Sequence, residues 1–406
     1  MRKNKRVLFL GNLAVAYNRD VLRGVAEFAG QQAEIRVFFP DNFEPADLPA
    51  LIRGDIHGVI VAGCPPEWQL PEKIAQRGVP AVDVSAELET SSLPRVVTDD
   101  AAVGRMAADY FIDRGFKRLV YYGMSQRYWS DARRDSFLAQ AASRGASAQY
   151  FYKQQAEAED RAGLYPSTAA RWLKHLVKPT AIYAGDDLLG AYLVEACRHL
   201  KIRVPEDMAI LGTDNDDLYG QLRTPHLSSI LLDSRAIGLR AMELLYRLIR
   251  GRKIRNATIL IPPIRVITRL SSDIFGVEDD LVREALGLIQ QQLRNGVSAK
   301  WLADKLAVSR PTMERHFNSA LSRSPATEIQ RIQMETARQL VLDTDMPIAQ
   351  VAEEAGYSSP RQFSTSFHHY FKETPRNMRK THRYAAAASP DSGTRASGAK
   401  TGARKQ

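Results

Sequence analysis

Short apolar runs alternate with helical patterns from residue 6 to residue 270. The runs are VLFL (7–10), IRVFF (35–39), GVIVAG (58–63), AVDV (81–84), RLVYY (118–122), AIYA (181–184), AILG (209–212) and TILI (258–261). Between them the spacing predicts amphipathic helices over 20–31, 100–114, 131–144, 187–200 and 234–250. Strands buried on both faces are near-continuous apolar runs, and parallel pairing requires a crossover helix between them. The chain supplies both, so the expected class is α/β. Residues 6–270 are too many for one typical sheet, which points to two lobes.

Past a polar linker, SSDIFGVEDD (271–280), the pattern is helical throughout 281–384. It contains a repeat. Leu302-Ala303-Asp304-Lys305 returns as Val351-Ala352-Glu353-Glu354, and the pair Met313/Phe317 returns as Phe363/Phe367. Each copy is a short helix, a tight turn and a second helix. Ser309 and Ser359 are natural N-caps, Pro311 and Pro360 suit a first helical turn, and Gly356 suits the sharp turn of the second copy. Between the copies, 326–343 is expected to be one helix of about 27 Å, a rigid spacer. This is an all-α domain with two helix-turn-helix units. The remainder, 385–406, is low-complexity and basic, and is expected to be disordered.

Charge sharpens the division. The net charge is +10, and residues 281–406 hold 19 Lys and Arg against 11 Asp and Glu, leaving only +2 for the first 280. A near-neutral body with a basic C-terminal third fits nucleic-acid binding. If Met313/Phe317 and Phe363/Phe367 are buried, Arg310, Pro311, Thr312, Glu314 and Arg315 are left outward on the first second-helix. Pro360, Arg361, Gln362, Ser364, Thr365 and His368 are left on the other. Arg bonds guanine in a bidentate manner, and Gln, Ser and Thr bond bases more permissively. Lys372 and Arg379 are expected to touch phosphates. The bland reading of any one of these residues is a solvated helix face.

The motifs SAKWLADKLAVSRPTMERHF and MPIAQVAEEAGYSSPRQFSTSFHHYFKETPRNMR resemble the AraC-type DNA-binding domain, whose most specific stretch is Phe371-Lys372-x-Thr374-Pro375-x-x-Met378-Arg379. The resemblance implies double-stranded operator DNA as partner, with both recognition helices in successive major-groove segments. The family often has Arg where this chain has Thr365, so base reading by the second helix falls on Arg361. VPEDMAILGTDND (204–216) resembles the core of LacI-type repressors and periplasmic sugar-binding proteins. By that resemblance one lobe is about 6–115 plus 232–252, and the other about 116–231 plus 253–270. A LacI-like core followed by an AraC-type module resembles the bacterial xylose-operon activator type. That implies a sugar effector, D-xylose or another pentose, a homodimer, activation of transcription and contact with RNA polymerase.

Open α/β sheets bind ligands beyond the carboxyl ends of their strands. There stand Asn12, Tyr17, Arg19, Trp129, Arg133, Asp186, Asp214 and Asn215, a mixture suited to a small neutral polyol. By resemblance Arg133, Asp186 and Asp214 occupy typical ligand-contact positions. Alternatives stay open: Asp186 as a helix N-cap, Asp214 as a loop cap, and Arg133 paired with Asp131 or Asp135.

Enzyme readings do poorly. The chain has no GxGxxG after the first strand, no GxxxxGK[ST], no HExxH and no GxSxG. Neither cysteine, Cys64 or Cys197, sits in a CxxC pair, so no zinc site is expected, and no cofactor is called for. The competing class is a DNA-binding protein whose α/β part acts on a small molecule. No apolar run is long enough to span a membrane. The start mimics a short signal peptide, but the α/β pattern begins inside it, so a cytoplasmic protein is expected.

Overall fold

The computed structural model describes residues 4–52, 55–153, 167–221, 224–252, 258–274, 276–277 and 279–380. The tail expected to be disordered lies outside the described residues. Packing divides the chain into two compact units, Met1–Gly287 with Leu306–Ser324, and Leu288–Lys305 with Pro325–Gln406.

The first unit holds two six-stranded sheets. One contains β1 (Lys5–Gly11), β2 (Ile35–Phe38), β3 (Ile56–Ala62), β4 (Ala81–Asp83), β5 (Arg95–Thr98) and, last in the chain, β11 (Thr258–Ile261). The other contains β6 (Arg118–Met124), β7 (Ser147–Lys153), β8 (Thr180–Ala184), β9 (Met208–Thr213), β10 (Ser228–Leu231) and β12 (Arg265–Ile267). The orders are β2-β1-β3-β4-β5-β11 and β7-β6-β8-β9-β10-β12. Pairing is parallel except for β12 on β10. Both sheets thus repeat the doubly wound 2-1-3-4-5 order, which opens a ligand crevice at the strand ends.

The principal helices are α1 (Ala16–Gly30), α2 (Asp100–Asp113), α3 (Tyr128–Ser143), α4 (Asp187–His199) and α5 (Ser234–Ile249). Val21 and Val25 of α1 and Ile237, Ala241 and Leu245 of α5 pack on Val7, Phe9 and Ile60 of the first sheet. Val103, Ala107 and Phe111 of α2 pack with Tyr121 and Tyr183 of the second. α2 and α3 lie unusually close: a Cβ on Gly104 would stand 2.2 Å from the Arg133 carbonyl oxygen. Only glycine allows that approach.

Two of the three lobe crossings differ from the expectation. Since α2 packs on the second sheet, the first crossing falls at Thr98–Asp100 and not near 115. Since Thr258–Ile261 pairs with Arg95–Thr98, residues 258–261 belong to the first lobe, and the third crossing follows Ile261. The crossing between β10 and α5 is where the resemblance placed it.

The helical segment opens with a helix over Asp280–Gln292 and continues with α6 (Ala299–Lys305), α7 (Arg310–Leu321), α8 (Pro325–Asp343), α9 (Ile348–Glu354) and α10 (Pro360–Phe371). Within the second unit, Met334, Ala337 and Val341 of α8 form a core with Val351, Ala352, Phe363 and Phe367. The repeat's local rules hold: Ser309 accepts from the Thr312 amide, Ser359 accepts from the Gln362 amide, and Gly356 takes φ +80°. The surprise is grouping. α7 packs with the α/β unit, so the first helix-turn-helix is divided between the two units.

Candidate ligand cavity and recognition helices

A cavity of about 170 Å³ opens between the lobes, at the carboxyl ends of both sheets. After β1 come Tyr17 and Asn18, after β4 come Ser85, Ala86 and Glu87, and β5 ends on Thr98 with Asp100 following. The second lobe supplies Trp129 and Arg133 after β6, Asp186 after β8 and Asp214 after β9.

Arg133 is the buried cation of the group. Its Nε donates to Asp100 Oδ1 at 2.7 Å and its Nη1 to the Gly185 carbonyl at 2.6 Å, while its guanidinium lies 4.9 Å from the Trp129 ring centre. Burial works most strongly against that charge, but Asp100, Tyr183, Asp214 and Tyr121 together outweigh it and the guanidinium pKa is raised. Pairing with Asp131 and Asp135, the open alternative, is made by Arg134 instead.

The carboxyls shift upward together. Burial, with Asp186 and Asp100 nearby, pushes Asp214 up to about 8 despite Arg133. Burial likewise pushes Glu87 up to about 7, and raises Asp100 and Asp186. Asp186 is both things weighed for it: its Oδ1 accepts from the Leu189 amide as an N-cap, and it lines the cavity. Asp214 has φ +102°, a left-handed backbone that a side chain of this kind rarely adopts. The Oδ1 of Asn18 is buried and no protein group donates to it, because its Nδ2 is committed to the Asn12 carbonyl. A buried acceptor left in this way costs about 1–3 kcal/mol until something donates to it.

Tyr17, Trp129, Arg133, Asp186 and Asp214 therefore line the cavity, and Asn12, Arg19 and Asn215 do not. Asn12 Oδ1 accepts from the Ala14 amide, shaping the loop after β1. Arg19 donates to the Leu13 and Ala14 carbonyls and pairs across the cleft with Asp216 at 3.2 Å. Asn215 Oδ1 accepts from Arg269. These three build the walls around the site. Asn18, Ser85, Glu87, Thr98 and Asp100 carry no clear signal in the sequence: RVVT is too short an apolar run to mark β5, and the residues after β4 are of no special type. Besides Arg19, the lobes touch through the amides of Tyr128 and Trp129, which donate to the Glu87 and Ala86 carbonyls at 3.1 Å each.

Cys64 is buried, its thiol pushed up to about 12 by burial, which rules it out as a ready nucleophile. Among the described residues, no cluster of three or more His, Cys, Asp or Glu could hold a metal ion, and no helix is long and apolar enough to cross a membrane.

On the recognition helices, Met313, Phe317, Phe363 and Phe367 are fully buried. Arg310, Pro311 and Arg315 are exposed on α7, with Thr312 and Glu314 half-buried; Arg310 pairs with Glu314 at 2.9 Å. On α10, Pro360, Arg361, Gln362, Thr365 and His368 are exposed and Ser364 is half-buried. Ser364 and Thr365 donate back to the Pro360 and Arg361 carbonyls. That leaves Arg361 and Gln362 exposed at the start of α10. Arg379 differs from the expectation: its Nε donates to the Val341 carbonyl at 3.0 Å, tying the segment after α10 to α8 and making it a packing residue.

Two family models match the chain, a periplasmic binding protein-like domain over residues 108–272 and a helix-turn-helix domain over 302–381. The Xylose operon regulatory protein of Haemophilus influenzae is 27% identical over 382 residues, covering 92% of this chain and 98% of that protein. The protein of the same name from Escherichia coli K12 is 29% identical over 389 residues, covering 93% and 97%. Among solved structures, that of the xylose-binding transcription activator xylR superposes with TM-score 0.59 at 26% identity, over 94% of this chain and 99% of that one. A LacI-type regulator from Alkaliphilus metalliredigens complexed with D-xylulofuranose shares the sensing fold alone, with TM-score 0.54 at 19% identity over 66% of this chain. In fold, in domain order and over nearly its whole length, the chain is built like the xylose operon regulatory proteins: a periplasmic-binding-protein-like domain followed by an AraC-type helix-turn-helix domain.

Proposed function

We propose that the chain is a sugar-responsive, DNA-binding transcription regulator whose inter-lobe cavity takes a pentose, D-xylose first. Its full-length relatives are regulators and not enzymes. The observation that carries the ligand reading is the cavity. About 170 Å³ lies below the roughly 300–1,000 Å³ of sites for drug-sized ligands, and a monosaccharide suits it. Carboxylates and the orphan Asn18 oxygen accept hydroxyl protons, Arg133 donates, and the Trp129 face covers an apolar C–H surface. On the DNA side, Arg315 and Arg361 read bases and Lys372 meets phosphate.

The chain works as a cytoplasmic homodimer that presents four recognition helices to one regulatory region beside RNA polymerase. Sugar raises affinity for a two-site operator, where effective concentration multiplies what each half-site gains. A calorimetric screen of aldopentoses and aldohexoses tests the ligand. Strongest binding by D-xylose, without turnover, is expected; a preference for a hexose overturns the pentose assignment, and turnover overturns the regulator reading.

A further inference from the structure

The chain segment carrying the first recognition helix is held by the α/β unit at atoms that lead back to the cavity. α2 has 14 residues, about 20 Å at 1.5 Å per residue. At its N-terminal end, Asp100 lines the cavity and accepts from Arg133. At its C-terminal end, the carbonyl of Asp113 accepts from Arg323 Nη2 at 2.6 Å, and the Asp113 carboxylate lies 3.7 Å from Arg323 Nη1. A cation on the last carbonyls of a helix is well placed, since those groups lack intrahelical partners and carry the negative end of the helix dipole.

Two more contacts follow. Gly115 turns the chain at φ +84°, and a Cβ there would stand 2.7 Å from Val277 and 2.9 Å from Leu321, so the last turn of α7 sits directly against the end of α2. His316 Nδ1 lies 2.6 Å from Asp279 Oδ2. Between its ends α2 has little freedom to bend. Gly104 presses it onto α3, and Arg144, beyond the end of α3, bonds both Asp109 and Asp113.

We infer that α2 is a strut by which occupancy of the cavity sets the placement of the first recognition helix, with Arg323 as the positioning residue at its far end. The inference rests on the reading of the cavity as a sugar site and of α7 as a DNA reader. A ligand that engages Asp100 or Arg133 displaces the near end of a stiff helix. The far end must then move Arg323 and Leu321, because packed elements shift as bodies and do not deform continuously. The exposed N-terminal half of α7, with Arg310 and Arg315, is carried along. The second recognition helix does not repeat these side chains: aligned on Phe317/Phe367, Ser366 stands where His316 does and Glu373 where Arg323 does.

Spatial continuity alone does not prove coupling, so the test measures coupling. The full-length chain and its Arg323→Ala variant are titrated on a duplex that the chain selects from a random pool, with and without saturating D-xylose. The expected wild-type ratio of affinities is tenfold or more, and that of Arg323→Ala within threefold. Calorimetric xylose affinity should stay within twofold of wild type. Arg323→Lys, which keeps a cation at the end of α2, should recover part of the ratio, a recovery that plain destabilisation would not show. An Arg323→Ala chain with the full wild-type ratio overturns the strut. If that variant does not fold, hydrogen exchange of residues 313–323 in the wild-type chain decides; protection unchanged by xylose overturns it too. A wild-type chain that binds none of the pentoses or hexoses, or selects no DNA, brings down the functional reading and the strut together.

Discussion

The two recognition helices obey one local rule and live in different surroundings. Both open on a capping serine, and both bury an aromatic pair or its equivalent at i, i+4. Both end on a left-handed residue, Ser322 at φ +55° and Lys372 at φ +58°, each three positions before a proline. α10 then packs among α8 and α9, whereas α7 packs with the α/β unit. The repeated residues make the helices alike. The unrepeated ones, His316 and Arg323 against Ser366 and Glu373, decide what each leans on. A duplicated element can therefore keep its form while one copy is recruited as a receiver of the ligand signal.

Removing core contacts should break the comparison most strongly. Phe363→Ala should cost the second unit about 3–5 kcal/mol. Operator binding should be lost while calorimetric sugar binding persists; a parallel loss of both would show that the two regions do not fold independently. Next in size, Asp214→Ala removes a buried hydrogen-bonding partner of the sugar, about 1–3 kcal/mol, and should weaken sugar binding ten- to a hundredfold while sugar-free DNA affinity stays measurable. Undiminished heat on titration with sugar would remove Asp214 from the site.

Truncating Arg361 or Arg315 should cost about 1–3 kcal/mol on the preferred sequence and relax choice at one operator position each. Lys372→Ala should weaken all sequences alike and lower the salt slope by about one. Equal losses on selected and random DNA for Arg361→Ala would deny it base reading. Arg379→Ala should instead lower the melting temperature of the helical unit, since its guanidinium serves the Val341 carbonyl. The capping serines sharpen the comparison most finely: Ser309→Ala and Ser359→Ala should each cost about 1 kcal/mol in thermal or chemical unfolding. The first loss should appear in the transition of the α/β unit, the second in that of the helical unit.

Protons separate the regions as well. Asp214 sits at about 8 in the folded chain against an ordinary 3.8, and Glu87 at about 7 against 4.5. The folded α/β unit thus keeps protons that the unfolded chain releases, and its stability should fall as pH rises from about 4 to 8. A sugar whose hydroxyls donate to the ionised carboxylates offsets that fall. Its stabilisation, followed as a melting shift, should grow between pH 6 and pH 8.5; a shift that shrinks over this range would mean that the carboxyls bind sugar in their protonated form.

Legibility in the sequence followed the range of the interactions. Caps, prolines and the i, i+4 pairs act within one turn, and they placed the first residue of each recognition helix and its buried face. Parallel strands announced themselves as apolar runs where they are central. β7 was invisible because, at a sheet edge, half-exposed Ser147–Lys153 shows no such run. The strand-end rule gathered Tyr17, Trp129, Arg133, Asp186 and Asp214, and missed Asp100 because RVVT is only four residues long. The same rule also gathered Asn12, Arg19 and Asn215, which stand beside the cavity lining, because a polar residue after a strand can as well be spent on its own loop or on a neighbouring element. The lobe crossings and the seat of α7 depend on surfaces brought together from distant parts of the chain, and no local pattern encodes them.

The bridge across the cleft is written partly in the main chain. The amides of Tyr128 and Trp129 grip the carbonyls of Glu87 and Ala86, and no side-chain replacement other than proline deletes an amide hydrogen. Side chains that line the cavity are thereby free to vary at the very positions that hold the lobes together. A lineage can exchange Trp129 or Glu87 for another side chain, drift toward a new effector, and never pass through an ancestor that has lost its grip.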